Sequence, residues 1–309
     1  LTVTYLSIFT LTSCTTIDSI KPSSDIIKTS PDTVRSTNSG PVIGIEGEEG
    51  IHKWLGIPYA DPPIEKLRWK APRNVSSWDK VYEATSFASP CVQIQSSLTG
   101  AGLAKPGDIV GNEDCLYLNI YAPAYLINSV PNENNKLPVM VWIHGGGNTS
   151  GMTSEYNPQK LVASQNVIVV TISYRLGIFG WFSHPELRNR SNGLDASANF
   201  GLLDQIKALE WLRNNIENFG GDKNNITIFG ESAGGQNVIA LYVSPIAKGL
   251  FHRAISQSGG ITLTSIADAE DIDRVVFPLK GNYKYRHKTT KEFIINLLNK
   301  GLNKTHLNW

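Results

Sequence analysis

Several things are scarce in this sequence, and each shortage excludes something. Of 309 residues, 28 are Lys or Arg and 27 are Asp or Glu, so the formal net charge is +1. A chain so balanced makes no electrostatic case for nucleic acid. No cluster of His, Cys, Asp and Glu has metal-ligand spacing, and no phosphate-binding Gly loop occurs, so no metal and no cofactor is expected. There is no internal repeat. The apolar run at residues 5–14 is too short to cross a bilayer as a helix. It is preceded by no initiator Met and no basic segment. Cysteines are few and odd in number: Cys14, Cys91 and Cys115.

The chain is nonetheless long enough to bury a large core as one α/β domain. Its near-neutral total hides an asymmetry. From Pro278 onward there are 7 basic residues and 1 acidic one, which leaves 21 basic and 26 acidic residues, or −5, in the rest. A mildly acidic body therefore carries a basic tail.

The densest chemical signal is Gly230-Glu231-Ser232-Ala233-Gly234-Gly235. A β-branched run at residues 226–229 precedes it and an apolar helical stretch at 236–243 follows. Strand, sharp turn with Gly on both sides of a Ser, then helix is the nucleophile-elbow arrangement. Small residues two positions either side of the Ser let the strand and helix approach closely, and the turn holds the Ser backbone under strain. The hydroxyl is then presented at a helix start, where backbone N–H groups favour developing negative charge. The plain alternative is a Gly-rich turn without chemistry. A second element weighs against that. Residues 137–143 read as a buried strand running straight into His144-Gly145-Gly146-Gly147. A Gly triplet after a strand exposes N–H groups with no side chains in the way, which is what an oxyanion hole requires.

Around these motifs the order of elements is alternating. Strand-like pieces lie at 42–45, 51–55, 116–121, 137–143, 167–174 and 253–258. The continuous apolar character of 137–143 and 167–174 predicts strands covered on both faces. A helix is predicted over about 198–218, with Leu202, Ile206, Leu209, Leu212, Ile216 and Phe219 at spacings of three and four and Gly220-Gly221 as its stop. The predicted fold class is α/β, a mixed and mostly parallel sheet with helices on both faces.

At these residues the chain resembles the type-B carboxylesterase and cholinesterase family of α/β-hydrolases. The segment from Phe219-Gly220-Gly221 through Gly230-Glu231-Ser232-Ala233-Gly234 is similar to that family's active-site signature. Glu113-Asp114-Cys115-Leu116-Tyr117-Leu118-Asn119-Ile120-Tyr121 is similar to its second signature. Further matches include Gly56-Ile57-Pro58-Tyr59-Ala60, Leu67-Arg68-Trp69, Tyr174-Arg175-Leu176-Gly177, Asn199-Phe200-Gly201-Leu202-Leu203-Asp204-Gln205 and Phe251-His252-Arg253-Ala254-Ile255-Ser256-Gln257-Ser258-Gly259. The resemblance covers about residues 40–277. It implies a serine esterase acting on small-molecule carboxylic esters through an acyl-enzyme, with Ser232 as nucleophile and Gly146, Gly147 and Ala233 as oxyanion-hole donors. It also pairs Cys91 with Cys115 as a disulfide, worth about 3 kcal/mol for a loop of that size and indicative of an oxidising compartment. Asn148 departs from the pattern, because the family usually places an aromatic or apolar residue there; the shape of the acyl or alcohol pocket is what that touches. Glu231 is expected to be a buried carboxylate that orders the elbow.

The ends of the chain carry separate expectations. Residues 1–14 look like a bacterial lipoprotein signal ending in Cys14, with lipidation of that Cys and membrane attachment through the lipid; a simple secretory signal is the rival. Residues 15–40 read as a disordered tether, 41–277 as the N-terminal part of the hydrolase domain, and 278–309 as a divergent basic tail. The expected location is outside the cytoplasm, periplasmic or lipid-anchored, otherwise secreted. In α/β-hydrolases the acid and the His follow the Ser. In the resembled family both lie further downstream than the 77 residues that remain after Ser232. The expectation is therefore a C-terminally truncated fragment, inactive or nearly so by itself. The alternatives are a non-catalytic cholinesterase-like binding protein and a decayed remnant.

Overall fold

The computed structural model describes residues 29–95, 105–260 and 263–270. The signal-like segment with Cys14, most of the predicted tether and the basic tail lie outside these. The strands of the main sheet are β1 (Ile45–Glu46), β2 (Ile51–Pro58), β3 (Tyr117–Pro123), β4 (Leu137–Ile143), β5 (Ile168–Ile172), β6 (Gly221–Glu231) and β7 (Arg253–Gln257). Their spatial order is β7-β6-β4-β5-β3-β2-β1. The four strands from β7 to β5 are mutually parallel, and β3, β2 and β1 join antiparallel. This is the mixed α/β sheet expected from the alternation of elements.

The helices are α1 (Gln159–Gln165), α2 (Gly177–Trp181), α3 (Pro185–Asn189), α4 (Phe200–Asn215), α5 (Ala233–Val243) and α6 (Ile266–Glu270). Leu209 and Leu212 of α4 and Val238 and Leu241 of α5 share the larger core with Ile120, Val141, Val170 and Ile228 of the strands. Val162 of α1 packs in a second cluster with Ile51, Tyr121, Val169 and Phe229. Alternate residues of one strand point to opposite faces, so the two clusters are the two sides of the sheet.

Where α4 ends, a 3-10 turn over Ile216–Phe219 carries the chain to Gly220, whose φ of 89° is the left-handed conformation that a helix C-terminus favours. The Gly220 carbonyl then accepts from Leu137 N at the start of β4. One glycine thus stops the helix and aligns β6 beside β4.

Three local expectations are corrected. Residues 42–45 do not form one strand. Gly40–Ile43 pairs with Arg35–Thr37 and Tyr82–Glu83 in a small separate sheet, while Ile45–Glu46 joins β2. The break falls at Gly44, where a Cβ would stand 2.2 Å from the Lys53 carbonyl oxygen. Strand β4 is not covered on both faces: Leu137, Val139, Val141 and Ile143 are buried, but Pro138 is exposed and Met140 and Trp142 are half-buried. The second face meets only the small cluster with Tyr156 and Phe229. The predicted pattern does hold for β5, whose five residues are all buried. Finally, the elbow helix starts at Ala233, three residues earlier than the apolar periodicity indicates. At the opposite extreme from β5, all five residues of the edge strand β7 are exposed.

One buried ion pair ties the helical layer to the sheet. Asp204 of α4 accepts from the Arg175 backbone N, Nε and Nη2, and Arg175 Nη1 donates to the Lys70 carbonyl. Both side chains are essentially inaccessible, at 3% and 0%. Removing one partner strands the other charge in the core, so Asp204→Ala is expected to lower unfolding free energy by about 3–5 kcal/mol. Glu186→Ala, which breaks the exposed pair with Arg190, is expected to cost no more than about 0.5 kcal/mol. Urea denaturation of the two variants measures both.

Candidate active site

Ser232 occupies the turn between β6 and α5 with φ 56° and ψ −121°. A non-Gly residue at positive φ is strained by about 1–3 kcal/mol and persists only where its surroundings over-determine it. Here they do. Ser232 N donates to the Gln257 carbonyl of β7 at 2.9 Å, and Gln236 N donates back to the Ser232 carbonyl at 3.0 Å. The glycines make room: a Cβ on Gly234 would stand 2.1 Å from the Ile143 carbonyl oxygen, and one on Gly230 would stand 2.6 Å from the same oxygen. Any larger residue at either position pushes α5 away from β4.

The Gly triplet lies against this turn. A Cβ on Gly145 would meet the Ser232 Cβ at 3.3 Å and the Glu231 carbonyl oxygen at 2.8 Å. Gly146 and Gly147 have φ of 90° and 65°. The Gly146 carbonyl accepts from Thr149 N and Ser150 N, which folds the loop back on itself. Among the described residues the N–H groups of Gly146, Gly147 and Ala233 find no hydrogen-bond acceptor. Ala233 is buried, where an unpaired backbone donor is rare; Gly146 is half-buried and Gly147 exposed, so their N–H groups face open space beside the serine. The Ser232 side chain is exposed and likewise makes no hydrogen bond among the described residues.

The loop is held from outside by residues that sequence reading did not single out as site residues. Gln93 donates to the Gly151 carbonyl at 3.0 Å and accepts from Gly151 N at 2.8 Å. Gln93 itself sits two residues from Cys91, which forms the disulfide with Cys115 that the family resemblance implied. The Tyr174 hydroxyl donates to the His144 carbonyl, and its ring stacks on the His144 imidazole at 4.3 Å. These contacts bridge 58 and 30 residues of sequence, and no local pattern announces them.

Glu231 is a correction. It is exposed, not buried, and its carboxylate makes no hydrogen bond among the described residues. Of the described histidines, none is bonded to Ser232. His252 accepts from Ile226 N in the middle of β6, five residues before its end at Glu231, and His184 caps α3. Among the described residues no group of three or more His, Cys, Asp or Glu is arranged to hold a metal ion.

His144 is buried and its pKa is lowered to about 4, chiefly by desolvation, with the Gly145 hydrogen bond acting in the opposite direction. Because a carbonyl only accepts, the 2.9 Å contact to the Gly145 oxygen makes Nδ1 the protonated nitrogen. Nε2 is then an unprotonated, buried nitrogen with no partner among the described residues.

The sheet order, the elbow and the glycine loop together define an α/β-hydrolase fold carrying a serine elbow. Comparison with known proteins agrees. The model of the carboxylesterase family matches residues 31–302. The chain is 44% identical to liver carboxylesterase 1 of Oryctolagus cuniculus over 243 residues, which is 76% of this chain and 40% of that protein. It is 48% identical to para-nitrobenzyl esterase of Bacillus subtilis over 226 residues, 72% of this chain and 43% of that one. A thermophilic pNB esterase structure superposes with a TM-score of 0.68 at 42% identity, covering 78% of this chain and 47% of its own. The chain belongs to the carboxylesterase family. It spans well under half the length of the curated relatives it matches.

A buried His with a lowered pKa takes up its proton more readily unfolded than folded. Stability is therefore expected to be fully present above about pH 6.5 and to fall as pH drops toward about 4, by roughly 3 kcal/mol for this group. His52, lowered mainly by burial and by Arg35, adds loss of the same sign. The His144 share is isolated by comparing denaturation at pH 7.5 and pH 4.5 in the native chain and in His144→Phe; the variant is expected to lose distinctly less.

Proposed function

We propose that this chain is the nucleophile-bearing and oxyanion-bearing part of a carboxylic ester hydrolase. In this reading the Ser232 oxygen attacks the carbonyl carbon of a small-molecule ester. The electron pair moves onto the carbonyl oxygen, which the N–H groups of Gly146, Gly147 and Ala233 receive. Collapse expels the alcohol and leaves an acyl-serine, which water then cleaves. One observation carries the proposal: the strained, exposed Ser232 lies against a glycine loop in which the N–H groups of Gly146 and Gly147 are unpaired among the described residues. Each such donor is worth roughly 10²–10³ in rate.

The proton of the Ser232 hydroxyl also needs an acceptor, and no described His or carboxylate is bonded to it. We therefore infer that the 309-residue chain is inactive or nearly so by itself. An electrophile that forms a tetrahedral adduct separates the two halves of this proposal. Phenylboronic acid is expected to bind the purified chain and to lose binding in Ser232→Ala. Turnover of p-nitrophenyl acetate is expected to be indistinguishable between the native chain and Ser232→Ala. Absence of Ser232-dependent boronate binding overturns the site, and Ser232-dependent turnover overturns the inactivity.

We further infer export and lipid attachment through Cys14. The apolar run ending at that residue and the buried Cys91–Cys115 disulfide, a bond of oxidising compartments, support it. Cys14→Ser is expected to move the expressed protein from the membrane fraction to the soluble fraction, and an unchanged distribution refutes the anchor.

A further inference from the structure

Asn148 stands where the resembled family usually places an aromatic or apolar residue, and the structure shows what it does instead. Its side-chain oxygen accepts from Asn237 Nδ2 at 2.8 Å, and its own Nδ2 faces Asn237 Oδ1 at 3.4 Å. Asn237 lies on α5, five residues after Ser232, and is buried at 4% exposure. At the other end of the loop, the Tyr174 hydroxyl donates to the His144 carbonyl. His144 and Asn148 are the two residues that flank Gly145-Gly146-Gly147. One end of the glycine triplet is therefore tied to an amide on the helix that begins at the serine, and the other end to the Tyr174 hydroxyl.

Of the three glycines, Gly147 has little else to fix it. A Cβ on Gly147 would meet only Thr149 Oγ1, at 3.6 Å. Glycine in open space has the widest conformational freedom of any residue. Asn148 adds two restraints at its own position: a φ of 57°, which Asn tolerates better than most residues, and a carbonyl that accepts from Gly177 N at 2.7 Å.

We propose that Asn237 is a positioning residue: through Asn148 it holds the oxyanion loop in register with the helix that carries Ser232. The proposal rests on the reading of Gly146 and Gly147 as oxyanion donors. It touches no reacting atom. Its effect is to keep the donors pointed at a developing charge, where donor placement decides how much stabilisation is gained.

The test measures the dissociation constant of phenylboronic acid and, separately, the melting temperature, for the native chain, Asn237→Ala, Asn148→Gly, the double variant, and Ser232→Ala. Asn148→Gly keeps the positive φ while removing the amide, so it remains foldable if Asn237→Ala is not. Asn237→Ala is expected to weaken boronate binding roughly tenfold, and Asn148→Gly by a smaller factor. The double variant is expected to be no weaker than Asn237→Ala, because contacts acting as one unit are not additive. A merely structural role lowers the melting temperature and leaves the affinity of the folded protein unchanged. Affinities within twofold of native in both single variants, with binding still abolished in Ser232→Ala, overturn the positioning role and leave the proposed function standing. Multiplicative losses in the double variant overturn the shared network. Absence of Ser232-dependent binding in the native chain removes the functional reading, and the positioning role with it.

Discussion

The structure turns on the approach of one helix to one strand. The first turn of α5 lies so close to the end of β4 that only glycine fits at position 234, against the Ile143 carbonyl. That approach forces the Ser232 backbone into a conformation costing about 1–3 kcal/mol. It also brings the loop after β4 against the serine. The cost is met by burial nearby: Ile143, Ile226, Ile228 and Val238 are almost wholly inaccessible, and each such side chain contributes about 1.5–3 kcal/mol. Fold stability and site geometry are thus the same set of contacts seen from two sides. A mutation that loosens β4 against β6 also moves the backbone amides of Gly146 and Gly147 relative to Ser232.

What could be read from the sequence was what is written locally. The Gly–x–Ser–x–Gly spacing, the β-branched run before it and the apolar helix after it lie within 18 residues, and the structure returns strand, strained turn and helix in that order. The bounds of β4 and the helical span of α4 were equally legible, because a stop signal (the Gly triplet, Gly220) borders each. The break at Gly44 was not, since its cause is a carbonyl on another strand. Neither was the exposure of Glu231, which depends on what lies beyond the last residue of β6. The clamps on the loop were the least legible of all. Asn237 and Asn148 are separated by 89 residues and Gln93 and Gly151 by 58, and amide pairs leave no periodicity. The disulfide was reached only through family resemblance, as spacing alone does not pair three cysteines.

The site divides into a part made of backbone and a part made of side chains, and the two differ in how they respond to their surroundings. The donors of Gly146, Gly147 and Ala233 carry no titratable group. Their orientation depends on a loop whose one ionisable member, His144, is neutral above about pH 4. Protonation of His144 would place a second N–H at Nε2, where the described residues offer no acceptor, so burial and the unpaired nitrogen act together to keep the loop in one charge state. Proton transfer from the serine is the opposite case. It requires a titrating side chain within reach, and the described part of the chain engages none there. Anion stabilisation is therefore assembled independently of the proton chemistry it would serve.

The replacement at position 148 follows the same logic. An apolar residue after the glycine run is held by packing, which is non-directional and tolerates small shifts. An amide pair with Asn237 is directional: it is satisfied over a few tenths of an ångström and leaves two buried polar groups unpaired when broken. Here the polar side chain is turned toward α5 and not left unpaired at the lip of the loop. What the substitution changes is the force that registers the loop on the helix. One buried amide on α5 thus substitutes geometry for area where the glycine loop meets the helix.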